Sequence, residues 1–353
     1  MTAPPPLVDC RIVRLNAELF PVSREEQEAC RQHGIDPVPI EAETESELRE
    51  VVAGADAVFA VSVKLPAPVI AAMDRCRVIS RMGAGTDRID VREATRRGIV
   101  VTNVAEFCVE EQADHAMAML LAVERQFKRM DREMAAGHWT GAREVSGRNH
   151  RLPGRTLGLV GFGRSAKAMA RRARGFGMRL LATRRSEVAD PELEELGVEL
   201  VSLDELLARS DYVSLHLPLT EATYHLIDAE ALRKMKPEAI LINTSRGAIV
   251  CEDALVAALE DRRLRGAGLD VFEQINVHDP DEVPPRDSPL IGRDDIVVTP
   301  HVAAFSVESR EDVTSGSVAN LVDVLEGRWP QSGNIVNPTV VPRWPLEPRP
   351  GEG

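Results

Sequence analysis

A glycine-containing turn between an apolar segment and a helical segment constrains the fold of this chain most strongly. The stretch TLGLVGFGRSAKAMA places Gly161, Gly163 and Ala166 in a G-x-G-x-x-A pattern, preceded by a predicted strand and followed by a predicted helix. Gly161 permits a tight turn, Gly163 lets a ligand approach the backbone, and the small Ala166 lets the helix pack closely on the strand. The pattern predicts the first strand–turn–helix unit of a doubly wound parallel sheet.

The remainder of the chain alternates short apolar strands with amphipathic helices. The predicted strands are CRIVRLN, ADAVFAVS, RVISRMG and IVVTNV in the first hundred residues, then RTLGLVGFG, MRLLATR, VELVS, YVSLHLP, AILINTS, AGLDVF and IVVTPH. This alternation predicts an α/β fold with two Rossmann- or flavodoxin-like doubly wound parallel-sheet domains and a cleft between them.

Between the two sets of strands lies VEEQADHAMAMLLAVERQFKRMDREMAAG, whose apolar residues recur three and four positions apart and predict one long helix. The next segment, HWTGAREVSGRNHRLPG, is rich in glycine and polar residues, which predicts an irregular arm that reaches a partner. Five prolines between 338 and 353 predict an extended or disordered tail.

Charge and cysteine content exclude several classes of protein. The formal net charge of −13 disfavours a nucleic-acid binder, which needs a basic face. No apolar run is long enough for a membrane span, and the N-terminus has no secretory signal, so we expect a cytoplasmic protein without a membrane partner. The five cysteines lack a CxxC pair and predict reduced thiols rather than a disulfide framework or a metal site.

The glycine turn predicts a dinucleotide site, because free amides at the start of the following helix attract phosphate groups. The alternative is a glycine turn without a ligand. At the end of the next predicted strand, 23 positions after Gly161, lie Arg184 and Arg185 in place of the acid that holds the ribose of NAD. A guanidinium binds a 2′-phosphate, which an acid repels. Thr183 and Ser186 add hydroxyl groups. We therefore expect NADP(H), with NAD(H) possible; the alternative is a solvated basic turn.

Three further polar residues, Arg246, Asp270 and His301, each follow an apolar segment that predicts a strand. The carboxyl ends of parallel strands are where open α/β sheets bind ligands. An arginine at such a position binds a carboxylate and polarises a carbonyl, and an imidazole supplies the proton as hydride arrives. Arg246 and His301 therefore predict carbonyl reduction.

Together these segments resemble the D-2-hydroxyacid dehydrogenases, in particular the branch with the phosphoglycerate dehydrogenases and the C-terminal-binding-protein corepressors. The resemblance covers about residues 50 to 330. It rests on RMGAGTDRIDVREATRRGIVVTNV, CVEEQADHAMAMLLA, GLVGFGRSA, SLHLPLTEATYHLI, NTSRGAIVCEDAL, GLDVFE and TPHVA. It implies NAD(P)-dependent interconversion of a small anionic 2-oxoacid and a D-2-hydroxyacid.

The resemblance also implies a domain organisation and a set of site residues. A substrate-binding domain would comprise 1–103 and 302–353, and a dinucleotide-binding domain 104–301, whose helix and arm at about 109–153 would build a homodimer. Arg246 would bind the substrate and His301 would be the acid–base catalyst. The other expected substrate-binding residues are Lys64, Gly83, Ala84 and Gly85. The expected cofactor-binding residues are Gly161, Gly163, Arg164, Ser165, Thr183, Arg184, Arg185, Leu217, Pro218, Thr223, Thr244, Ser245 and Asp270.

The chain departs from the family at one acid. A glutamate normally lies five residues after the aspartate of LDVFE and pairs with the catalytic histidine, but that position is Ile275 here. A carboxylate beside an imidazole raises its pKa and fixes its tautomer, so His301 should hold its proton less well without one.

Several explanations of this departure stay open. A replacement acid would be Asp279, Asp281 or Glu282. Alternatively, His301 acts alone at lower pH, or the substrate carries its own acid, as in a phosphonate/phosphite-type oxidoreductase or a dicarboxylate reductase. The competing function is a corepressor-like nucleotide sensor with weak or no turnover.

Overall fold

The computed structural model describes residues 6–18, 20–42, 44–185, 190–273 and 288–349. The chain divides into two compact units. The terminal unit comprises Met1–Phe107 and Ser306–Gly353, and the central unit comprises Cys108–Phe305. The expected domain bounds differ from these units by four residues at each junction (103 against 107, and 301 against 305). The assignment of substrate and dinucleotide to the two domains stays a prediction.

Among its described residues, the terminal unit begins with five strands and four α-helices. The strands are β1 (Ile12–Leu15), β2 (Val38–Ile40), β3 (Ala57–Ala60), β4 (Val78–Arg81) and β5 (Val100–Thr102). The helices are α1 (Arg24–Gln32), α2 (Glu45–Val52), α3 (Ala67–Ala71) and α4 (Val91–Arg96). All strand pairs are parallel, in the order β2-β1-β3-β4-β5. The inner strands β1 and β3 are buried along their whole length, as expected for a parallel sheet covered on both faces.

The central unit holds a seven-stranded parallel sheet. Its helices are α5 (Val109–Glu124), α6 (Phe127–Ala135), α7 (Trp139–Val145), α8 (Arg164–Gly175), α9 (Pro191–Leu196), α10 (Leu203–Arg209), α11 (Ala229–Lys234) and α12 (Glu252–Glu260). Its strands are β6 (Thr156–Val160), β7 (Arg179–Thr183), β8 (Val198–Leu200), β9 (Tyr212–Leu215), β10 (Ile240–Asn243), β11 (Gly266–Leu269) and β12 (Ile296–Val298).

The strand order of this sheet, β12-β11-β10-β9-β6-β7-β8, reverses direction between β6 and β9. Ligands of open α/β sheets bind outside the carboxyl ends of the strands at such a switch point. Two parallel α/β sheets in one chain confirm the predicted fold class. The predicted strands that follow residue 155 are all present.

The chain then returns to the terminal unit as α13 (Val307–Leu325), which packs on β4 and α1. The tail that follows contacts the terminal unit at Arg343, Trp344 and Glu347, where Glu347 N donates to Gly327 O at 2.8 Å. The Arg343 guanidinium donates to the Arg97 carbonyl at 2.7 Å, and Arg77 lies over the Trp344 ring at 5.4 Å. In the part of the chain that the structure describes, no helix is long and apolar enough to cross a membrane.

Two predictions for the segment after residue 108 were wrong. The single long helix is interrupted at Gln126, which has a left-handed φ of 54° and separates α5 from α6. The expected irregular arm contains α7. One set of contacts explains the interruption, because the Gln126 side chain donates to Val145 O at 2.9 Å and to Asn149 Oδ1 at 2.8 Å. These hydrogen bonds outweigh the local helical preference of the sequence.

Candidate active site

The expected site residues of the central unit lie at the carboxyl ends of its strands. Each of six strands is followed by one of these residues. In the spatial order of the sheet they are His301 after β12, Asp270 after β11, Arg246 after β10, Leu217 after β9, Gly161 after β6 and Arg184 after β7. Residues from six segments, distant in sequence, therefore line one edge of one sheet.

The glycine turn after β6 leaves its backbone accessible. Gly161 has a φ of +90°, and a Cβ there would lie 2.4 Å from the His216 carbonyl oxygen, so only glycine fits. A Cβ on Gly163 would meet no atom within 4 Å. The first hydrogen bond within α8 runs from Lys167 N to Gly163 O at 3.0 Å, so the amides of Ser165 and Ala166 precede the hydrogen-bonded turns of the helix. This open backbone and these amides fit an anionic group such as a pyrophosphate.

At the end of β7, Arg184 lies within a network of charges. Its Nη1 is 3.4 Å from Asp190 Oδ2, and Lys167 Nζ is 2.9 Å from the same oxygen. Lys167 also pairs with Glu192 at 2.5 Å. The hydrogen bond from Lys167 lowers the pKa of Asp190. Arg185 is exposed, and Ser186 lies outside the described residues. Lys167 and Asp190 were not predicted from the sequence, since no motif links them and the packing of α8 on α9 brings them together.

At the end of β9, His216 is buried, and burial lowers the pKa of its imidazole to about 4. Its Nε2 lies 2.9 Å from Ser214 Oγ and its Nδ1 lies 3.2 Å from Ser165 Oγ. In the loop that follows, the Thr223 hydroxyl donates to the Pro218 carbonyl at 2.7 Å. Thr223 therefore stabilises the loop that contains Leu217 and Pro218.

The loop after β10 is held from both sides. Ser245 Oγ donates to the Leu215 carbonyl at 2.6 Å, and Arg246 Nη1 donates to Ser245 O at 2.7 Å. Thr244 is buried. A Cβ on Gly247 would lie 1.9 Å from the Phe272 carbonyl carbon, so this position requires glycine. The backbone at Arg246 is thus confined between β9 and the chain after β11.

Asp270, fully buried after β11, holds the turn that contains His301. Its Oδ1 accepts from the Thr299 hydroxyl at 2.5 Å and from Val302 N at 2.9 Å, and its Oδ2 accepts from Ala303 N at 2.9 Å. His301 N donates to the Asp270 carbonyl at 2.8 Å, and His301 has a left-handed φ of 57°. The aspartate therefore maintains a backbone conformation that a histidine rarely adopts. Its expected contact with a cofactor stays a prediction.

His115 on α5 extends this cluster, and the sequence analysis did not identify it. Its Nε2 lies 2.8 Å from Thr299 Oγ1 and 3.7 Å from Asp270 Oδ1. Because the Thr299 hydroxyl donates to Asp270, its oxygen accepts from His115, which assigns the proton to Nε2. The sequence signal is a histidine at the boundary between the polar start of α5 and its apolar remainder, and that signal is weak.

The expected substrate-binding residues of the terminal unit follow β3 and β4. Lys64 is exposed. In the loop after β4, Gly83 O accepts from Val104 N at 3.1 Å, and Ala84 O accepts from Asn103 Nδ2 at 2.6 Å. Gly85 O accepts from Arg81 Nε at 2.9 Å.

The three carbonyls of this loop are thus held by the protein. The Gly83 amide donates to the Arg81 carbonyl at 2.9 Å, so the amides of Ala84 and Gly85 are the groups of this loop suited to receive an anion. Arg81 and Asn103, which hold two of the carbonyls, were not identified from the sequence.

The replaced acid, Ile275, and its candidate substitutes Asp279, Asp281 and Glu282 lie outside the described residues. The nearest described acid on the same segment is Glu273, which accepts from His225 Nε2 at 2.5 Å and from the Tyr224 hydroxyl at 3.3 Å.

Comparison with known proteins gives the class of protein that this sheet edge defines. Residues 117–303 match the model of the D-isomer specific 2-hydroxyacid dehydrogenase NAD-binding domain. A glyoxylate reductase of Korarchaeum cryptofilum is 45% identical over 278 residues, 78% of this chain and 81% of the reductase. A glyoxylate reductase of Thermococcus litoralis is 41% identical over 76% of this chain and 78% of that protein.

A solved structure shows the same likeness. The NADPH-dependent glyoxylate/hydroxypyruvate reductase of Sinorhizobium meliloti, in complex with NADP and malonate, is 29% identical with a TM-score of 0.80. The alignment covers 96% of this chain and 99% of that one. The class is that of oxidoreductases acting on oxoacids and hydroxyacids with a nicotinamide cofactor. The chain belongs to the D-isomer specific 2-hydroxyacid dehydrogenase family, which confirms the resemblance, while the branch within the family stays a prediction.

Proposed function

We propose that this protein is an NADP(H)-preferring oxidoreductase that interconverts a small 2-oxoacid, such as glyoxylate, with the corresponding 2-hydroxyacid, of D configuration where that carbon is chiral. The observation that supports this most strongly is the order of groups along the carboxyl edge of the central sheet. Arg184 lies at one side, the glycine turn at the switch point, and Arg246 and the His301 turn at the other side. This order matches the three parts of a nicotinamide dinucleotide: adenosine, pyrophosphate and nicotinamide.

The preference for a 2′-phosphate is supported by the charges after β7. Arg184 occupies the position where an acid holds the ribose hydroxyls of NAD, and Lys167 lies on the same carboxylate, Asp190. The guanidinium of Arg184 can bind a phosphate dianion through paired hydrogen bonds, which an acid at this position would repel. The Sinorhizobium meliloti relative is described as NADPH-dependent.

The residues that would hold the cofactor are those of the glycine turn and the β7 end; bound NADPH would supply the hydride that reduces the carbonyl carbon. The loop at Gly83–Gly85 would bind the substrate carboxylate through the amides of Ala84 and Gly85. Arg246 would polarise the carbonyl oxygen as negative charge develops on it. His301, as imidazolium, would give its proton to that oxygen and become neutral. The buried Asp270 would keep His301 in position.

A homodimer is part of the proposal. The helices α6 and α7 expose large apolar side chains to solvent: Phe127 at 56%, Met134 at 46% and Trp139 at 61%. Exposed apolar side chains that cluster on one segment are typical of a contact with another chain. We expect light scattering to give twice the mass of the 38.7 kDa chain, and Trp139→Lys to lower that mass. A monomeric wild type would refute the dimer.

The proposed cofactor preference is tested by titrating purified protein with NADPH and NADH while nicotinamide fluorescence is recorded. Arg184→Asp should weaken NADPH binding by about 100-fold, the loss of a bidentate pair plus a new repulsion, with little effect on NADH. The matched control is Arg179→Asp, an exposed arginine at the opposite end of the same strand, which should leave both affinities unchanged.

Four outcomes separate the alternatives. Equal affinity of the wild type for NADH and NADPH would mean that Arg184 and Arg185 form a solvated turn and do not bind a 2′-phosphate. Binding with no turnover on a panel of 2-oxoacids would favour a nucleotide sensor, and turnover of phosphite or phosphonates alone would favour the specialised oxidoreductase. Absence of binding to either dinucleotide would remove the proposed function altogether.

A further inference from the structure

We propose that His216 is a positioning residue that directs the hydroxyl of Ser165 toward the pyrophosphate of the cofactor, through a hydrogen-bond chain that begins at Ser214. This inference rests on the proposed dinucleotide site. His216 does not itself touch the cofactor; it acts through Ser165.

The three side chains lie at the switch point of the central sheet. Ser214 belongs to β9 and His216 follows it, while Ser165 lies in the first turn of α8, directly after β6. Strands β6 and β9 are neighbours, and His216 N donates to Val160 O at 2.8 Å. The chain of hydrogen bonds therefore crosses from β9 to the amides that face the proposed pyrophosphate.

The direction of each hydrogen bond follows from the donors and acceptors available. Ser214 is fully buried, and His216 Nε2, at 2.9 Å, is the partner of its hydroxyl among the described residues. A buried hydroxyl proton without an acceptor costs on the order of 1–3 kcal/mol, so the Ser214 hydroxyl donates to Nε2. A neutral imidazole with an accepting Nε2 carries its proton on Nδ1.

The Nδ1 proton is donated to Ser165 Oγ, 3.2 Å away. Because Ser165 Oγ then acts as the acceptor, its own hydroxyl proton is directed elsewhere. The described protein groups offer Ser165 no second hydrogen bond, and its side chain is only partly buried at the open glycine turn. The remaining direction is toward the anion that the first-turn amides of α8 attract.

Burial keeps this arrangement intact at physiological pH. Burial lowers the pKa of His216 to about 4, so the imidazole stays neutral and Nε2 stays an acceptor. A protonated ring would present a donor on both nitrogens and would lose the bond from Ser214.

The test compares four variants by calorimetric titration with NADPH. Ser165→Ala should weaken binding about tenfold, because one hydrogen bond to a charged phosphate is lost. His216→Asn places an amide N–H where Nδ1 lies and should stay within about twofold of the wild type. His216→Gln places an amide where Nε2 lies but leaves no donor where Nδ1 lies. It should therefore weaken NADPH binding as much as Ser165→Ala does. The double variant Ser165→Ala/His216→Gln should be no weaker than Ser165→Ala alone, since both changes break one chain.

The control is Ser315→Ala, an exposed serine on α13 whose hydroxyl donates to Glu311 O at 2.8 Å. Thermal unfolding of every variant checks folding. An independent readout that does not need a variant to fold is the ring nitrogen spectrum of 15N-histidine-labelled wild type. We expect His216 to be neutral with a protonated Nδ1 and an unprotonated Nε2.

A protonated Nε2, an unchanged affinity in Ser165→Ala, or an equal loss in folded His216→Asn and His216→Gln would each overturn the inference. In those cases the wild type still binds NADPH, and the proposed function stands. If the wild type binds no dinucleotide, the proposed function fails, and this inference with it.

Discussion

Two aspartates stand near opposite sides of the same sheet edge, and their surroundings differ. Asp270 is fully buried, and its three hydrogen bonds come from a hydroxyl and two amides, all neutral donors. The Asp190 side chain is 15% exposed; it accepts from the Glu192 amide at the start of α9, and it pairs with the cations of Arg184 and Lys167.

The comparison shows how one side chain has two different effects. A buried carboxylate that binds neutral donors fixes backbone geometry, because its removal leaves buried amides unsatisfied. A partly exposed carboxylate between cations mainly sets the local charge, since solvent screens its individual ion pairs. We therefore expect Asp270 to control turnover through His301, and Asp190 to control the affinity for the cofactor through Arg184.

The largest expected effect is that of Asp270→Asn. The amide has one oxygen for three donors, so its NH2 group must face either Ala303 N or the Thr299 and Val302 donors. With the His301 turn displaced, kcat for glyoxylate should fall about 100-fold or more, the range of a lost general acid, and this loss should exceed any change in Kd for NADPH. The control is Asp204→Asn, an exposed partner of Lys234. An unchanged kcat in Asp270→Asn would show that Asp270 does not control turnover through His301.

Thr299→Val should have an intermediate effect. The variant keeps the shape of the side chain but removes the hydrogen bond to Asp270 and the acceptor for His115. We expect kcat to fall about tenfold, because one of several bonds that hold the turn is lost. Thr299→Ser keeps the hydroxyl and should recover most of the activity in steady-state assays. Equal losses in both variants would indicate that packing, rather than the hydroxyl, matters.

Asp190→Asn should have the smallest effect, in the opposite direction. Asparagine caps α9 as well as aspartate does, so folding should be preserved. Loss of the negative charge strengthens the field of Arg184 and Lys167, and NADPH should bind about two- to fivefold tighter at low salt, the range of a partly exposed ion pair. The gain should fade when titrations are repeated at high ionic strength. Weaker NADPH binding would mean that Asp190 orients Arg184 instead.

The strands, and the site residues that follow them, could be predicted from the sequence because both depend on short-range patterns. Apolar runs bounded by turn residues predicted β6, β7 and β9 to β12, and the glycine pattern identified the turn at Gly161. Polar residues directly after those strands pointed to Arg246 and His301, since parallel strands end at one edge.

Predictions failed where a contact between distant segments overrides local preference. The break at Gln126 depends on acceptors at Val145 and Asn149, 19 and 23 positions away. Helical periodicity contains no information about such acceptors. In the same way, nothing in the sequence near Lys167 indicates that α9 brings Asp190 to it.

By itself, the sequence determined the two parallel sheets, the family and the residues that end each strand, because periodicity and turn chemistry act over a few residues. Only the tertiary structure decided what those residues touch. It showed Asp270 bonded to the His301 turn and His216 bonded to Ser165. The physical reason is that hydrogen bonds and burial depend on which segments meet in space, and the strand order of the sheet sets those meetings.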